Sequence, residues 1–227
     1  MEVGRSIPRV DAADKVTGRA KYTDDLCGRE ALIVKICHST IAHGFVKRID
    51  TAAAERIPGV VRVLTCFDVP EFPFPTAGHP WSTDPAHQDV ADRLLLNRHV
   101  RYYGDEVAVV IAEDEVAAAQ GVRALEVEYE ELPFVLDPQK AMEGEAPQIH
   151  EEFPGNILKH TDIRRGDYQT AIQEPDLVKV EGWYDTPTVQ HCHIENHGCF
   201  AYEEAGRVVV VTSTQIPHIV RRVVGQA

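Results

Sequence analysis

The spacing of apolar residues predicts short strands and short helices in the first part of the chain. Runs rich in β-branched residues are typical of strands, and they occur at 31–37, 45–49, 60–65, 107–112 and 125–131. Two alanine-rich stretches, 51–56 and 113–122, predict helices. Thr51 is the expected N-cap of the first helix, and Pro58-Gly59 follows its end. Short strands mixed with short helices predict an α+β fold.

A change in composition divides the chain into two domains. Between 133 and 156, four prolines and two glycines lie among polar residues, which is typical of a linker. The domains that we predict are an extended lead at 1–14, a first domain at 15–135, a linker at 136–160 and a second, incomplete domain at 161–227. Residues 67–85 carry five prolines and predict a long loop that could contact a partner.

In the second domain, the pattern is weaker and ends on an apolar segment. Alternation predicts strands at 177–184 and 208–211, the second of them preceded by a turn at Ala205-Gly206. Residues 219–224 have the spacing of a helix, with Gly225 after its end. Because the chain finishes so soon after this helix, we expect it to be part of a longer subunit.

Composition and charge exclude several classes of protein. A net charge of −13 makes nucleic acid an improbable partner, since the surface should repel phosphates. The apolar runs are far shorter than the roughly 20 residues that a membrane helix needs, so we expect a cytoplasmic protein. The five cysteines include no C-x-x-C pair, which favours reduced thiols and argues against an iron–sulfur cluster bound by this chain alone.

Potential metal ligands are densest at 190–197. If this run were a strand, His191, His193, Glu195 and His197 would share one face, and imidazoles with a carboxylate suit zinc or non-haem iron. The simpler interpretation is a strand rim whose polar side chains make structural hydrogen bonds. The chain has no nucleotide-binding glycine loop and no nucleophile motif.

Several motifs, in order along the chain, resemble the molybdenum-binding subunits of the xanthine dehydrogenase and aldehyde oxidase family. In the first domain they lie at 9–12, 15–25, 39–44, 57–60, 103–108 and 127–133. In the second domain they are Gln-His-Cys-His-Ile-Glu at 190–195 and Thr-Ser-Thr-Gln-Ile-Pro-His at 212–218. The residue sequences of these last two motifs are most similar to those of bacterial xanthine dehydrogenase molybdenum subunits.

The resemblance implies a small α/β hammerhead domain followed by the first strands of a molybdopterin-binding domain. In the family, the glutamine of the Ser-Thr-Gln motif lies beside the molybdenum and hydrogen-bonds its oxo ligand, so Gln215 is the implied cofactor-binding residue. A neutral amide suits this place because it polarises an oxygen without adding charge. No catalytic residue and no direct metal ligand are assigned to this chain, because the family's general base lies beyond residue 227.

What the resemblance implies about activity extends beyond the chain itself. It implies hydroxylation of a purine-like heterocycle with oxygen from water, with 2Fe–2S clusters and FAD on partner domains or subunits and the remainder of the molybdenum subunit as a further partner. The isolated chain is then expected to be inactive. Two alternatives remain: a non-catalytic hammerhead module that assembles with the rest of a split or truncated subunit, and a metal-binding protein that uses the 191–197 face.

Overall fold

The structure, a computed structural model, describes residues 3–75, 91–158, 160 and 162–226. Contacts group the chain into two compact units, one formed by Met1–Leu132 with His193–Ala227 and the other by Pro133–Cys192. Much of the loop predicted at 67–85 lies outside the described residues. The domain limits predicted from the sequence stay a prediction, because contact grouping and domain ancestry are different properties.

The secondary structure consists of short helices and strands. The strands are β1 (Ile33–His38), β2 (Gly44–Asp50), β3 (Val60–Thr65), β4 (His99–Val100), β5 (Glu106–Ala112), β6 (Glu126–Glu131), β7 (Cys199–Glu204) and β8 (Arg207–Thr212). The helices are α1 (Ala12–Val16), α2 (Thr23–Leu26), α3 (Ala52–Glu55), α4 (Glu115–Arg123), α5 (Pro138–Ala141), α6 (Tyr168–Ala171) and α7 (Pro217–Val224). The predicted α+β class is confirmed.

Two three-stranded antiparallel sheets form the centre of the larger unit. One has the order β1-β5-β3 and the other β4-β2-β6. Strand β5 is the middle strand of its sheet and is apolar along most of its length, because its neighbours and α4 cover it. Val46, Val100 and Val107 have no exposed surface and form the main core with Leu96. Helix α4 closes a second cluster with Ala117 and Ala118 against Ala112.

Strands β7 and β8 form a separate hairpin in the same unit. Their register pairs Cys199 with Thr212 at the open end and Glu204 with Arg207 at the turn. The turn residues Ala205 and Gly206 have φ of 49° and 74°. Positive φ at both central residues gives a turn whose twist matches that of paired strands. The predicted turn, the strand at 208–211 and the helix after it are confirmed.

The helix predicted at 51–56 is present as α3 with Thr51 at the N-cap position, as predicted, but the Thr51 side chain makes no capping hydrogen bond. Asp50 Oδ1 accepts a hydrogen bond from the Ala52 amide at 3.0 Å, whereas the Thr51 hydroxyl donates to Glu55 Oε1 at 2.9 Å. Thr51 already has helical dihedral angles, and a capping side chain normally requires an extended backbone. The acid one residue earlier therefore supplies the acceptor.

At three further segments the secondary structure differs from what the sequence pattern suggested. Helix α1 begins within the predicted lead at 1–14, and the ion pair between Lys15 Nζ and Asp11 Oδ2 at 2.7 Å favours it across one turn. Residues 177–184 and 190–197 are not strands. A strand is stable only when its backbone pairs with a neighbour, and neither segment has such a pairing among the described residues. A separate finding concerns membrane spans: no helix among the described residues is long and apolar enough to cross a membrane.

One asparagine joins several backbone groups in the first part of the smaller unit. The Asn156 amide nitrogen donates to the carbonyl oxygens of Ala141 and Pro147 at 2.8 and 3.0 Å, and its oxygen accepts from the Ile149 amide at 2.8 Å. These bonds connect the end of α5 to the turn at Pro154–Asn156. One side chain thus satisfies three backbone groups of this region.

Candidate functional site

Gln215 lies in the connection between β8 and α7. The strand ends at Thr212 and the helix begins at Pro217, so four residues make the turn. Pro217 is at the first position of the helix, where its missing amide hydrogen costs no hydrogen bond. The place of Gln215 is therefore set by the end of one regular element and the start of another.

Ser213 joins this turn to the beginning of β7. Its amide donates to the Gly198 carbonyl oxygen at 3.0 Å, which extends the hairpin ladder by one residue. Its hydroxyl oxygen accepts from the Gly198 amide at 3.0 Å. The same hydroxyl can donate to the Asn196 carbonyl oxygen at 3.2 Å or to the Gly198 carbonyl oxygen at 3.3 Å. We call this set of bonds the Ser213 clasp.

The residues on both sides of Gln215 are held, while its own side chain is available. Thr214 Oγ1 accepts a hydrogen bond from the Ile216 amide at 3.1 Å, a local bond that closes the backbone around Gln215. The Gln215 side chain is exposed and makes no hydrogen bond within the described part of the chain. Its amide can therefore both donate to and accept from a bound group.

The dense histidine run is not arranged as predicted. Because 190–197 is not a strand, His191, His193, Glu195 and His197 do not share a strand face. The rings of His193 and His197 lie 5.3 Å apart, centroid to centroid. Across the residues that the structure describes, no three His, Cys, Asp or Glu side chains come together as a metal site.

Glu195 has a structural partner far away in the sequence. Its Oε1 accepts from the Thr23 amide at 3.2 Å and from the Thr23 hydroxyl at 3.3 Å, across 172 residues. Thr23 is only 8% exposed and begins helix α2. The contact connects the Tyr-Thr-Asp-Asp part of the first motif to the His-Ile-Glu part of the later one.

An open cavity of about 360 Å³ lies along α7. His218, Arg221, Arg222 and Gly225 line it, and Gln215 does not. The cavity is therefore distinct from the turn that carries the glutamine.

The cysteines divide into buried and exposed groups, and all five are free thiols, as predicted. Cys37 and Cys66 are buried between the sheets, and burial raises the pKa of the Cys66 thiol to about 11. Burial also raises the pKa of Cys37. Cys27, Cys192 and Cys199 are exposed.

A buried polar network stabilises the loop that carries the 103–108 motif. Asp105, 2% exposed, accepts from Asn97 Nδ2 at 2.7 Å and from the Arg101 amide at 3.1 Å. Its carbonyl oxygen accepts from the Ser39 amide at 2.7 Å. Burial raises the pKa of its carboxyl. This network therefore connects the loop before β2, which carries the 39–44 motif, to the loop before β5, which carries the 103–108 motif.

Sequence reasoning proposed Gln215 as a cofactor contact but missed the residues that hold its turn. Ser213 was noticed only as a letter of the Ser-Thr-Gln motif, and Glu195 only as a potential metal ligand. A hydroxyl directly after a strand was the available signal for the first, since serine often bonds nearby backbone groups. No local signal pairs Thr23 with Glu195.

Comparisons with known proteins place both parts of the chain in one group. A family model described as the aldehyde oxidase and xanthine dehydrogenase a/b hammerhead domain matches residues 17–133. A second, the molybdopterin cofactor-binding domain, matches residues 149–227. Among curated proteins, the xanthine dehydrogenase molybdenum-binding subunit of Escherichia coli is 47% identical over 220 residues, which are 96% of this chain and 29% of that protein.

Solved structures agree with the sequence comparison. The aldehyde oxidoreductase of Desulfovibrio desulfuricans is 30% identical, with a TM-score of 0.81 over 98% of this chain and 25% of that one. Quinoline 2-oxidoreductase of Pseudomonas putida is 31% identical, with a TM-score of 0.81 over 99% of this chain and 28% of that one. The chain therefore spans between a quarter and a third of the length of these proteins.

Proposed function

The chain belongs to the aldehyde oxidase and xanthine dehydrogenase family, and we propose that it forms the N-terminal portion of the molybdenum-cofactor subunit of a hydroxylase that oxidises a purine-like heterocycle. The observation that carries this proposal is the exposed amide of Gln215, held on a hydrogen-bonded turn inside the part that the molybdopterin-binding model matches. The family is established, whereas the role of this residue is our proposal.

The side chains of the turn fit a cofactor that is recognised through hydrogen bonds. Gln215 offers a neutral donor and acceptor, and its neighbours fix the backbone on both sides. The described residues present no cluster of acidic, imidazole or thiol groups that would ligate a metal directly. We therefore assign this chain a hydrogen-bonding contact to the molybdenum cofactor, with Gln215 as the residue that makes it.

The proposed reaction replaces a hydrogen on a ring carbon next to nitrogen by a hydroxyl group whose oxygen comes from water. Two electrons and two protons leave, and the electrons pass to iron–sulfur clusters and FAD on partner domains or subunits. When bound, the molybdenum cofactor supplies the redox and oxygen-transfer chemistry. Gln215 contributes by orientation, because a preorganised neutral donor stabilises developing negative charge without reorganising during the reaction.

The purine-like substrate is proposed from the similarity to the xanthine dehydrogenase subunit. Identity is 47% to the xanthine dehydrogenase subunit but 30% and 31% to the aldehyde and quinoline enzymes. Xanthine and hypoxanthine should therefore be oxidised with a higher kcat/KM than benzaldehyde or quinoline. A complex that prefers either of the last two would remove the purine assignment and leave the family unchanged.

The remaining parts of the active site are proposed to come from outside this chain. The chain covers 29% of the xanthine dehydrogenase subunit, and no residue of it is assigned as the general base. We therefore expect the 227-residue chain alone to show no turnover of xanthine with an artificial electron acceptor.

The experiment that tests the proposal is the substitution Gln215→Ala in the full-length subunit, assembled with its partners. We expect the molybdenum content to stay near that of the unsubstituted complex and kcat to fall roughly 100-fold, as for the loss of one preorganised donor. Gln173→Ala is the matched control, because Gln173 is also exposed and its side chain makes no hydrogen bond in the described chain. An unchanged kcat in the Gln215→Ala complex with full molybdenum content would refute the assignment.

A further inference from the structure

The turn that carries Gln215 is held from one side by the backbone amide and the hydroxyl group of one residue. Ser213 is two residues before Gln215 and just beyond the last pair of the β7-β8 ladder. Its hydroxyl has one hydrogen and two lone pairs. It uses a lone pair for the Gly198 amide and directs its hydrogen to the Asn196 or Gly198 carbonyl oxygen. One side chain thereby satisfies the Gly198 amide and a carbonyl oxygen in the segment just before β7.

The segment that Ser213 grips is itself anchored elsewhere in the same unit. Glu195 directly precedes Asn196, and its carboxylate accepts both hydrogen bonds from Thr23. Asp24, next to Thr23, approaches Gly198: a Cβ built on that glycine would lie 3.7 Å from Asp24 Oδ1. Thr23 is buried and starts a helix, so the anchor is part of the folded unit.

These contacts form a continuous path of hydrogen bonds and backbone through the larger unit. It runs from Thr23 to Glu195, through the backbone to Asn196 and Gly198, across the Ser213 clasp, and into the turn of Gln215. The exposed side-chain amide of Gln215 makes no hydrogen bond to a described residue, so its position depends on the backbone of this turn. Thr214 acts only locally, through its bond to the Ile216 amide.

We propose that Ser213 is a positioning residue for Gln215, and that the Thr23–Glu195 pair anchors the segment against which Ser213 works. This inference rests on the proposed function, because it gives Gln215 its role. Ser213 itself touches neither substrate nor cofactor in this assignment. Its effect on turnover passes through the geometry of the glutamine.

The test begins with a readout that does not depend on activity. Amide hydrogen exchange of Gly198 and Ile216 is measured in the full-length complex carrying Ser213→Ala, Ser213→Thr or the control Ser6→Ala. Loss of the hydroxyl bonds of the clasp in Ser213→Ala should speed exchange at both amides about tenfold, the effect of one hydrogen bond. Ser213→Thr keeps the hydroxyl and should restore protection, and Ser6 is an exposed serine without side-chain bonds in the described residues.

Kinetics then separate positioning from general stability. Ser213→Ala should lower kcat about tenfold with KM and molybdenum content nearly unchanged, and Ser213→Thr should recover most of it. In the double variant with Gln215→Ala, the Ser213 substitution should cause no further loss, because residues that act through one another are not additive. Additive losses would overturn positioning through Gln215.

The possible failures are distinguishable. If Gln215→Ala turns over normally, the proposed function is wrong, and exchange at Gly198 and Ile216 alone then decides whether Ser213 holds the turn. If Gln215→Ala is impaired while Ser213→Ala has normal kcat and normal exchange, the positioning role is wrong. Thr23→Val removes one of the two hydrogen bonds to Glu195 and should speed exchange at Gly198 less than Ser213→Ala does. A larger effect would mean that the Thr23–Glu195 pair, and not Ser213, contributes most to the protection of Gly198.

Discussion

The buried carboxylate of Asp105 allows a quantitative test of how the loop before β5 is held. Replacement by alanine removes the acceptor for Asn97 Nδ2 and for the Arg101 amide, at 2.7 and 3.1 Å. Both Asp105 and Asn97 are nearly inaccessible to water, so solvent cannot replace the lost acceptor without opening the loop. The substitution should therefore destabilise the protein.

The magnitude follows from the number of donors left without an acceptor. A buried donor that loses its partner costs about 1–3 kcal/mol, and two are affected. Removing a buried charge offsets part of this cost, which leaves a loss of about 2–4 kcal/mol in the free energy of unfolding. Asp105→Asn keeps one acceptor but turns an NH₂ group toward the other donor. We expect it to cost about half as much.

The pH dependence has a definite sign. Burial raises the folded-state pKa of the Asp105 carboxyl, although the bond from the Arg101 amide acts in the opposite direction. Because the unfolded value is about 3.9, ionisation disfavours the folded state, and this penalty is complete only above the folded-state pKa. The penalty disappears as the pH falls through the folded-state pKa toward the unfolded value. The wild-type chain should therefore exceed Asp105→Asn in stability by more at pH 4 than at pH 7.

Urea unfolding followed by circular dichroism measures these differences. Glu128→Gln, which removes an exposed carboxylate on β6 without a side-chain bond in the described chain, is the control and should shift the midpoint little. An Asp105→Ala chain with the wild-type midpoint would refute the reasoning. So would a difference between wild type and Asp105→Asn that grows from pH 4 to pH 7.

Two other predictions concern packing and thiol accessibility. Gly44→Ala should lower the free energy of unfolding by about 2–4 kcal/mol, since a Cβ there would meet the Glu130 carbonyl oxygen and lie 2.8 Å from Ile41 Cδ1. Thermal unfolding measures this loss, and Gly144→Ala is the control because nothing lies within 4 Å of a Cβ at that position. Equal unfolding midpoints of the two variants would contradict the prediction. Cys66 is buried and its pKa is raised to about 11, so its thiol should react with iodoacetamide at pH 8 far more slowly than the exposed thiol of Cys27. Mass spectrometry of the cysteine-containing peptides follows both reactions. Equal rates would show that the core opens readily.

The parts of the fold that the sequence predicted correctly are those that depend on neighbouring residues. The apolar run of β5 and the alanines of α4 each specify one element by their own spacing. Thr51 is the N-cap of α3 as predicted, but Asp50 supplies the side-chain acceptor, because both residue types suit that bond and only the backbone angles decide between them.

The parts that could not be predicted depend on distant partners. Glu195 has the same local pattern whether it binds a metal or a threonine, and the choice is made by Thr23, 172 residues earlier. Gln215 was found through a family motif, since nothing in its own spacing distinguishes a cofactor contact from a solvent-exposed glutamine. The Ser213 clasp required knowledge of which strand lies opposite.

The unpaired segment at 177–184 leads to a last prediction. Its alternation is that of a strand, yet Val178, Val180 and Trp183 are 85%, 88% and 92% exposed. Three such side chains in water lose the stabilisation of burial. Because the chain covers only 29% of its xanthine dehydrogenase relative, we propose that the matching strand belongs to the part of the subunit outside these 227 residues.

Amide exchange tests this proposal directly. In the isolated chain the 178–184 amides should exchange at nearly the rate of an unfolded peptide, since they make no backbone hydrogen bond among the described residues. In the full-length subunit, pairing should slow them by about 100-fold or more, the range of a stable ladder. The hairpin amides of β7 and β8 serve as the internal control, because both strands of that pair lie within this chain. Equal exchange at 178–184 in both forms would mean that the alternation specifies no strand.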